Sequence, residues 1–306
     1  MRYYYFNPFS KQYYFPADFC NYPVFTTFYH PYKLFAKLLW KVWNKSLLFR
    51  NLFSTDQPEK VLPIEQIKQY VTSGSTLSFN LGTVGPEQKI SILGVDNTTT
   101  SIFYIKYAIS EVARRNVFNE GMILQQLTML TFVPKLESYV FEDKRFTLIK
   151  TSVLTGQKMK NPFLNVQLLN TLFTLSTLKV KSNRMYASNL VSCFAHGDFC
   201  PWNMFYDQGK INIFDWEMAG QYPVGYDLFT YIFQFEFLVN KKKRFKKLLK
   251  DNSDFINRYF NQFKIDDWKI YLLEFINIKY SIESEKKNVL LIKPFLELKK
   301  YVIKDM

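Results

Sequence analysis

Residues 194–227, FAHGDFCPWNMFYDQGKINIFDWEMAGQYPVGYD, constrain the fold more than any other part of the chain. Residues 204–206 and 211–214 are short apolar runs. The turn-forming Asp207-Gln208-Gly209-Lys210 joins them, with Gly209 free to take a positive φ. This pattern predicts a β-hairpin, and a hairpin brings its two ends together. Asn203 and Asp215 therefore belong side by side at the open end. An amide oxygen and a carboxylate converging there suit Mg²⁺, which takes hard oxygen ligands and leaves room for phosphate oxygens. Asp198 stands five residues before Asn203, on the loop entering the hairpin. From there it lies close to such a metal without being a ligand, and can accept the proton of an attacking hydroxyl.

The arrangement resembles the catalytic core of the kinase-like fold, in which a catalytic Asp-x-x-x-x-Asn precedes a metal-binding Asp. In detail it resembles the aminoglycoside phosphotransferase and choline kinase branch, which writes H-G-D-x-x-x-x-N and D-W-E where protein kinases write H-R-D and D-F-G. Here His196-Gly197-Asp198 through Asn203 and Asp215-Trp216-Glu217 match at each motif position. The resemblance implies an α+β, bilobal protein-kinase-like fold: a small antiparallel β-sheet lobe and a larger, mainly helical lobe. It also implies an ATP- and Mg²⁺-dependent kinase whose acceptor is a hydroxyl compound. Asp198 is then the catalytic base, with Asn203 and Asp215 as metal ligands. His196 holds the loop's shape. Glu217 contacts either metal-bound water or the acceptor. Asp227 is expected either to cap the next helix or to bond to catalytic-loop backbone.

The rest of the chain divides on that scheme into 1–63, an N-terminal extension; 64–156, the nucleotide-binding lobe; and 157–306, the catalytic and acceptor lobe. Strands are expected over 76–81 and 88–95, joined by Gly82-Thr83-Val84-Gly85-Pro86, a loop able to cover phosphates with backbone N–H groups. Residues 102–107 form an apolar strand interrupted by Lys106, which needs an anionic partner there. In the kinase-like fold such a lysine meets the α- and β-phosphates and pairs with a helix glutamate. Glu120 fits that place. Glu111 competes for it, but sits where an acid suits the helix dipole. The resemblance places the adenine against backbone of the hinge, here Thr151 and Val153.

The extension is unusual. Residues 1–30 are dense in aromatics, and Pro8, Pro16 and Pro23 forbid a continuous helix. They read either as an extended arm over the lobes or as a glycan- or membrane-facing surface. Residues 31–53 read as one helix with Pro31 in its first turn and Lys33, Lys37, Lys41 and Lys45 along one stripe. Leu34, Phe35, Leu38, Leu39, Val42, Leu47 and Leu48 form its apolar face, flanked by Trp40 and Trp43. Two readings stay open: a helix packed on its own domain with a solvated lysine face, or one lying in an anionic membrane interface. Residues 54–63 read as a linker. Residues 240–250, NKKKRFKKLLK, form a basic run.

The 306 residues carry a net charge of +14, which favours anionic partners. An enzyme for cationic aminoglycosides calls for an acidic acceptor cleft, so the resemblance does not point to antibiotic resistance. No nucleic-acid-reading motif is visible, and no nucleic-acid partner is expected. HGDFxPWN with DWE is most similar to uncharacterised bacterial members associated with cell-surface polysaccharide assembly. The expected acceptor is a small-molecule or glycan hydroxyl. The second class of reading is a non-catalytic nucleotide-binding module at an anionic membrane surface. Cys20, Cys193 and Cys200 show no paired spacing and point to a reducing compartment. No signal peptide or membrane-spanning run is visible. The expected location is cytoplasmic, peripheral on the inner membrane face if the extension binds lipid.

Overall fold

The computed structural model describes residues 2–6, 12–29, 34–142, 145–159, 163–240 and 244–305. Pro8, Pro31, Lys33 and the lysines at 241–243, invoked above, lie outside these. The chain divides into two compact units, Met1–Gly121 with Lys135–Val153, and Met122–Pro134 with Leu154–Met306.

The first unit is built on an eight-stranded antiparallel sheet. Its strands are β1 (Tyr3–Phe6), β2 (Tyr13–Pro16), β3 (Ser54–Thr55), β4 (Thr76–Asn80), β5 (Lys89–Val95), β6 (Ile102–Ala108), β7 (Leu136–Glu142) and β8 (Phe146–Ser152), in the order β3-β1-β2-β4-β5-β6-β8-β7. In the aromatic start of the chain Tyr3–Phe6 and Tyr13–Pro16 are strands of this sheet, rather than an extended arm over the lobes or a glycan- or membrane-facing surface. Strand β1 pairs with β2 from Tyr3↔Pro16 to Phe6↔Tyr13, and β2 continues onto β4. Alternation along a strand explains the aromatic density. Tyr3 and Tyr14 face a core with Phe79, Ile92 and Phe103, while Tyr4, Phe6, Tyr13 and Phe15 face a second core with Phe19, Phe25, Trp40 and Trp43. Strands buried on both faces read as continuous apolar runs. Residues 54–63, expected as linker, begin with β3, which adds an edge strand to β1 at Tyr4↔Ser54.

The basic helix differs from expectation in two ways. It breaks into α2 (Leu34–Lys45) and α3 (Leu47–Asn51), after the short α1 (Pro23–Thr26), because Ser46 caps α3 by accepting the Phe49 N–H. Its buried side is Ala36, Trp40 and Trp43, while the leucine side faces outward: Leu34 is 75% exposed, Phe35 63%, Leu38 55% and Leu48 82%. Two stacked indoles, 5.2 Å apart, meet Phe6 and Phe15, and burying them removes more apolar area than burying the leucines. After α4 (Ile64–Lys68), the helix α5 (Glu111–Gln126) carries the chain from β6 towards β7.

The second unit opens with β9 (Gln157–Lys158) and α6 (Val166–Ser176), whose Asn165 cap accepts the Leu168 N–H. Strand β10 (Ser192–Ala195) pairs with β13 (Gly220–Pro223), and β11 (Met204–Asp207) with β12 (Lys210–Ile213). Gln208 and Gly209 both have positive φ, the type I′ geometry that matches strand twist in a two-residue hairpin. Helices α7 (Tyr226–Phe235), α8 (Phe245–Asp251), α9 (Ser253–Gln262), α10 (Trp268–Glu285) and α11 (Val289–Asp305) supply the remaining core.

Candidate active site

The hairpin ladder continues one step past Met204↔Ile213, where the Phe214 N–H donates to the Asn203 carbonyl at 3.1 Å. Asn203, in the short helical turn Pro201–Asn203, and Asp215 thus flank the open end. Asp215 itself sits at φ +70°, a left-handed conformation uncommon for a non-glycine residue. The Asn203 amide donates to both the backbone oxygen and the Oδ2 of Asp198, each at 2.9 Å. This leaves Asn203 Oδ1 as the amide's acceptor face. An oxygen of Asp215 lies within 4.8 Å of one of Glu217. An amide oxygen on one side of the hairpin's open end and carboxylates following the other side are donor types that fit a hard divalent cation.

Asp198 is partly exposed and held from both sides. Besides the Asn203 bond to Oδ2, its Oδ1 accepts from Gln234 Nε2 at 2.9 Å and from the Cys200 thiol at 3.4 Å. Burial, with the Asp198 charge adding, holds the Cys200 thiol well above its ordinary range. This thiol is a protonated donor and no nucleophile.

The loop carrying Asp198 is fixed by two groups. His196 is fully buried. Its Nδ1 accepts the Asp198 N–H at 3.2 Å, so the ring proton is on Nε2, which donates to the Phe214 carbonyl at 3.0 Å. The ring thus ties the loop to the hairpin. Of the two uses open to Asp227, the structure adopts the second: its carboxylate accepts the N–H groups of His196 at 2.6 Å and Gly197 at 2.9 Å. Burial raises its pKa, partly offset by His196, those two N–H groups and Lys279. Gly197, at φ +83°, lies against the segment after Asp215. A Cβ there would meet the Met218 carbonyl oxygen at 2.2 Å.

In the first unit, Lys106 in β6 meets Glu120 in α5 at 2.5 Å, both buried. Glu111 pairs instead with Arg115 on the helix surface. Gly82 has φ +71° and gives its N–H to Asn80 Oδ1 at 3.0 Å, and a Cβ on it would meet the Lys89 carbonyl at 2.5 Å. Gly85 lies in the same loop, beside an exposed Val84. Thr151 is buried inside β8 opposite Tyr104 and Leu136, while Val153 follows the strand and packs against the Trp40–Trp43 cluster.

Gln234 and Lys279 escape the sequence reading. Each is a polar residue within an apolar helix, and that signal could have found them. Nothing in the sequence says that their helices converge on Asp198.

An antiparallel sheet with a buried Lys–Glu pair, and a hairpin bearing HGD, Asn and DWE, define a kinase-like fold. Residues 174–242 match the family model described as Phosphotransferase enzyme family. Among solved structures, the chain is similar to aminoglycoside phosphotransferase APH(4)-Ia, with a TM-score of 0.55, 10% identity, and coverage of 82% of this chain and 99% of that one. It is similar to amicoumacin kinase hAmiN, solved with AMP-PNP, Ca²⁺ and Ami, at 0.53, 13%, 81% and 96%. For Plasmodium vivax ethanolamine kinase the values are 0.52, 13%, 78% and 85%. Identities this low speak for the fold alone. No curated protein matches in sequence. The family model covers the HGD loop and DWE segments, so this stretch of the chain is similar to that phosphotransferase family, and it sits on a fold similar to that of the aminoglycoside phosphotransferase and ethanolamine kinase structures.

Proposed function

We propose that the chain is an ATP- and Mg²⁺-dependent phosphotransferase that moves the γ-phosphoryl group to a hydroxyl of a small molecule or glycan: a sugar, a polysaccharide precursor or an amino alcohol. The observation that carries the reading is the Asp198 carboxylate, held on one oxygen by Asn203 and on the other by Gln234. Held this way, it can orient an acceptor hydroxyl and take its proton. Asn203 Oδ1 and Asp215 hold the metal in this scheme, and Glu217 contacts metal-bound water or the acceptor. Bound Mg²⁺ supplies charge neutralisation on the phosphate oxygens. Lys106, steadied by Glu120, supplies a fixed cation for the α- and β-phosphates. The loop at Gly82 and Gly85 covers the phosphates. Since Asn80 already takes the Gly82 N–H, other amides of that loop must serve. Thr151 and Val153 mark the backbone assigned to adenine. Residues 64–156 bind nucleotide and 157–306 carry catalysis and the acceptor. Catalysis comes from positioning and charge stabilisation, because the transition state of phosphoryl transfer is loose. An acceptor screen with labelled ATP, covering nucleotide sugars, choline and polysaccharide fragments, tests the reading. Turnover that survives in Asp198→Ala or Asp215→Ala overturns the assigned roles. Nucleotide binding without turnover against any acceptor favours the non-catalytic module.

The proposal extends to place: peripheral attachment to an anionic membrane, where a lipid-linked glycan acceptor resides. Leu34, Phe35, Leu38, Val42, Leu47, Leu48 and Leu52 are exposed on α2 and α3 and just beyond, beside exposed Lys37, Lys41 and Lys45. An outward apolar face interleaved with lysines suits the headgroup region. Among the described residues no helix is long and apolar enough to cross a membrane. Co-sedimentation with phosphatidylglycerol vesicles, lost in a Leu34→Asp/Leu38→Asp/Leu48→Asp variant, is the expected result. Equal binding by that variant removes the membrane from the proposal.

A further inference from the structure

Lys279 is a buried charge that the proposed reaction leaves unused. It lies in α10, 4% exposed. An ammonium there is costly unless it is compensated. Among the described residues no carboxylate oxygen lies within ion-pair distance of it. Its Nζ donates to Gln234 Oε1 at 2.9 Å and stands 5.1 Å from the centroid of the Tyr226 ring. Gln234, itself buried, passes the contact on: its Nε2 donates to Asp198 Oδ1 at 2.9 Å. An ammonium has only donors and a carboxylate only acceptors, so the amide between them has one orientation open to it. Asp227 and Gln234 stand seven residues apart, two turns along one face of α7. That face thus holds the catalytic loop twice, through its backbone at His196 and Gly197 and through the Asp198 carboxylate. Just past Gln234 the helix widens into a π-turn at Glu236–Asn240, a distortion frequent at functional sites.

We infer that Gln234 and Lys279 are positioning residues for Asp198: the amide aims the carboxylate, and the ammonium locks the amide. The inference rests on Asp198 acting as the proton acceptor. With Asn203 on Oδ2 and Gln234 on Oδ1, the carboxylate cannot rotate about its Cβ–Cγ bond without breaking a bond at each oxygen. Removing the ammonium frees the amide to turn over and present an oxygen to the carboxylate. Lys279 also opposes the charge of the buried Asp227.

The test compares Gln234→Met, Lys279→Met, the double variant and Lys279→Arg in the full chain. Each Met variant is expected to lower kcat about 10- to 100-fold with little change in KM for ATP, the scale of a misplaced catalytic group. The double variant should be no worse than Gln234→Met alone, since both residues act along one line, and Lys279→Arg should keep most activity. A second readout needs no turnover. The Cys200 thiol donates to the same Asp198 Oδ1, so its infrared S–H stretch, identified by its loss in Cys200→Ser, reports on that oxygen. With the competing amide gone the band should move to lower frequency in Gln234→Met, and it should shift in Lys279→Met as well. Where Lys279→Met fails to fold, Gln234→Met, which keeps the volume, carries both measurements. Additive losses in kcat, unchanged kcat, or an S–H band that stays put overturns the inference while leaving the phosphotransferase reading intact. A band that moves in the variants while the wild-type chain shows no turnover upholds the positioning and removes the catalysis.

Discussion

Gly197 shows how narrow the tolerance of the catalytic loop is. Its φ of +83° and the Met218 carbonyl 2.2 Å from the place of a Cβ leave room for hydrogen alone. Gly197→Ala should cost at least about 1–3 kcal/mol, the price of a strained backbone, and abolish turnover. Urea unfolding and an activity assay check both. The cysteines give a pH-dependent prediction. Burial, with the Asp227 charge adding, pushes the Cys193 thiol up to about 12, and Cys200 is raised by burial and Asp198. Cys20 is exposed. A thiol reagent at pH 8–9 should modify Cys20 alone in the native chain, and all three cysteines in denaturant. The sign follows from linkage. The folded state holds these protons more tightly than the ordinary thiol value of 9.0, so the stability they supply is present below that pH and is lost as pH rises towards 12. Rapid native labelling of two or three thiols contradicts the buried placement.

Among the elements, the strand–helix pair β6 and α5 and the helix α2 make opposite demands on their neighbours. Lys106 and Glu120 are both buried, so Glu120→Ala takes the paired carboxylate away from a buried ammonium. It should destabilise by about 3–5 kcal/mol, visible as a lowered urea midpoint, even before nucleotide is added. Removing the exposed Glu111–Arg115 pair should change stability by at most about 1 kcal/mol. In α2 the indole of Trp43 is fully buried against Phe15 and Phe19, and Trp43→Ala should cost about 3–5 kcal/mol. Leu38→Asp, on the outward face of the same helix, should stay within about 0.5 kcal/mol of wild type. A stability loss in Leu38→Asp comparable to that of Trp43→Ala refutes the orientation of α2.

Across the whole molecule, the excess of 40 Lys and Arg over 26 Asp and Glu makes any lipid attachment salt-sensitive. Vesicle binding should weaken between about 0.05 and 0.5 M salt as screening shortens the reach of each charge, and the remainder should disappear in the outward-leucine variant. The hairpin and the kinase-like fold were legible in the sequence, because a two-residue turn, local spacing and three short motifs are properties of neighbouring residues. Lys106 was legible for the same reason, as one charge in an apolar strand. Its choice of Glu120 over Glu111 is a question of which helix face meets the sheet. The role of the N-terminal aromatics was not legible. Local pattern could not say that Tyr3 to Phe6 find partners in Tyr13 to Pro16 and become two more strands of a sheet whose other members lie at residues 54–55 and beyond residue 75. Nor could periodicity decide which side of α2 is buried, since leucines and indoles both make an apolar face and only the waiting rings of Phe6 and Phe15 discriminate between them. The amide of Gln234 and the ammonium of Lys279 belong to the same class. What local chemistry determined is the loop that carries Asp198. What the tertiary structure alone decided is which distant side chains hold that carboxylate, because hydrogen bonds between helices depend on packing that no short stretch of sequence encodes.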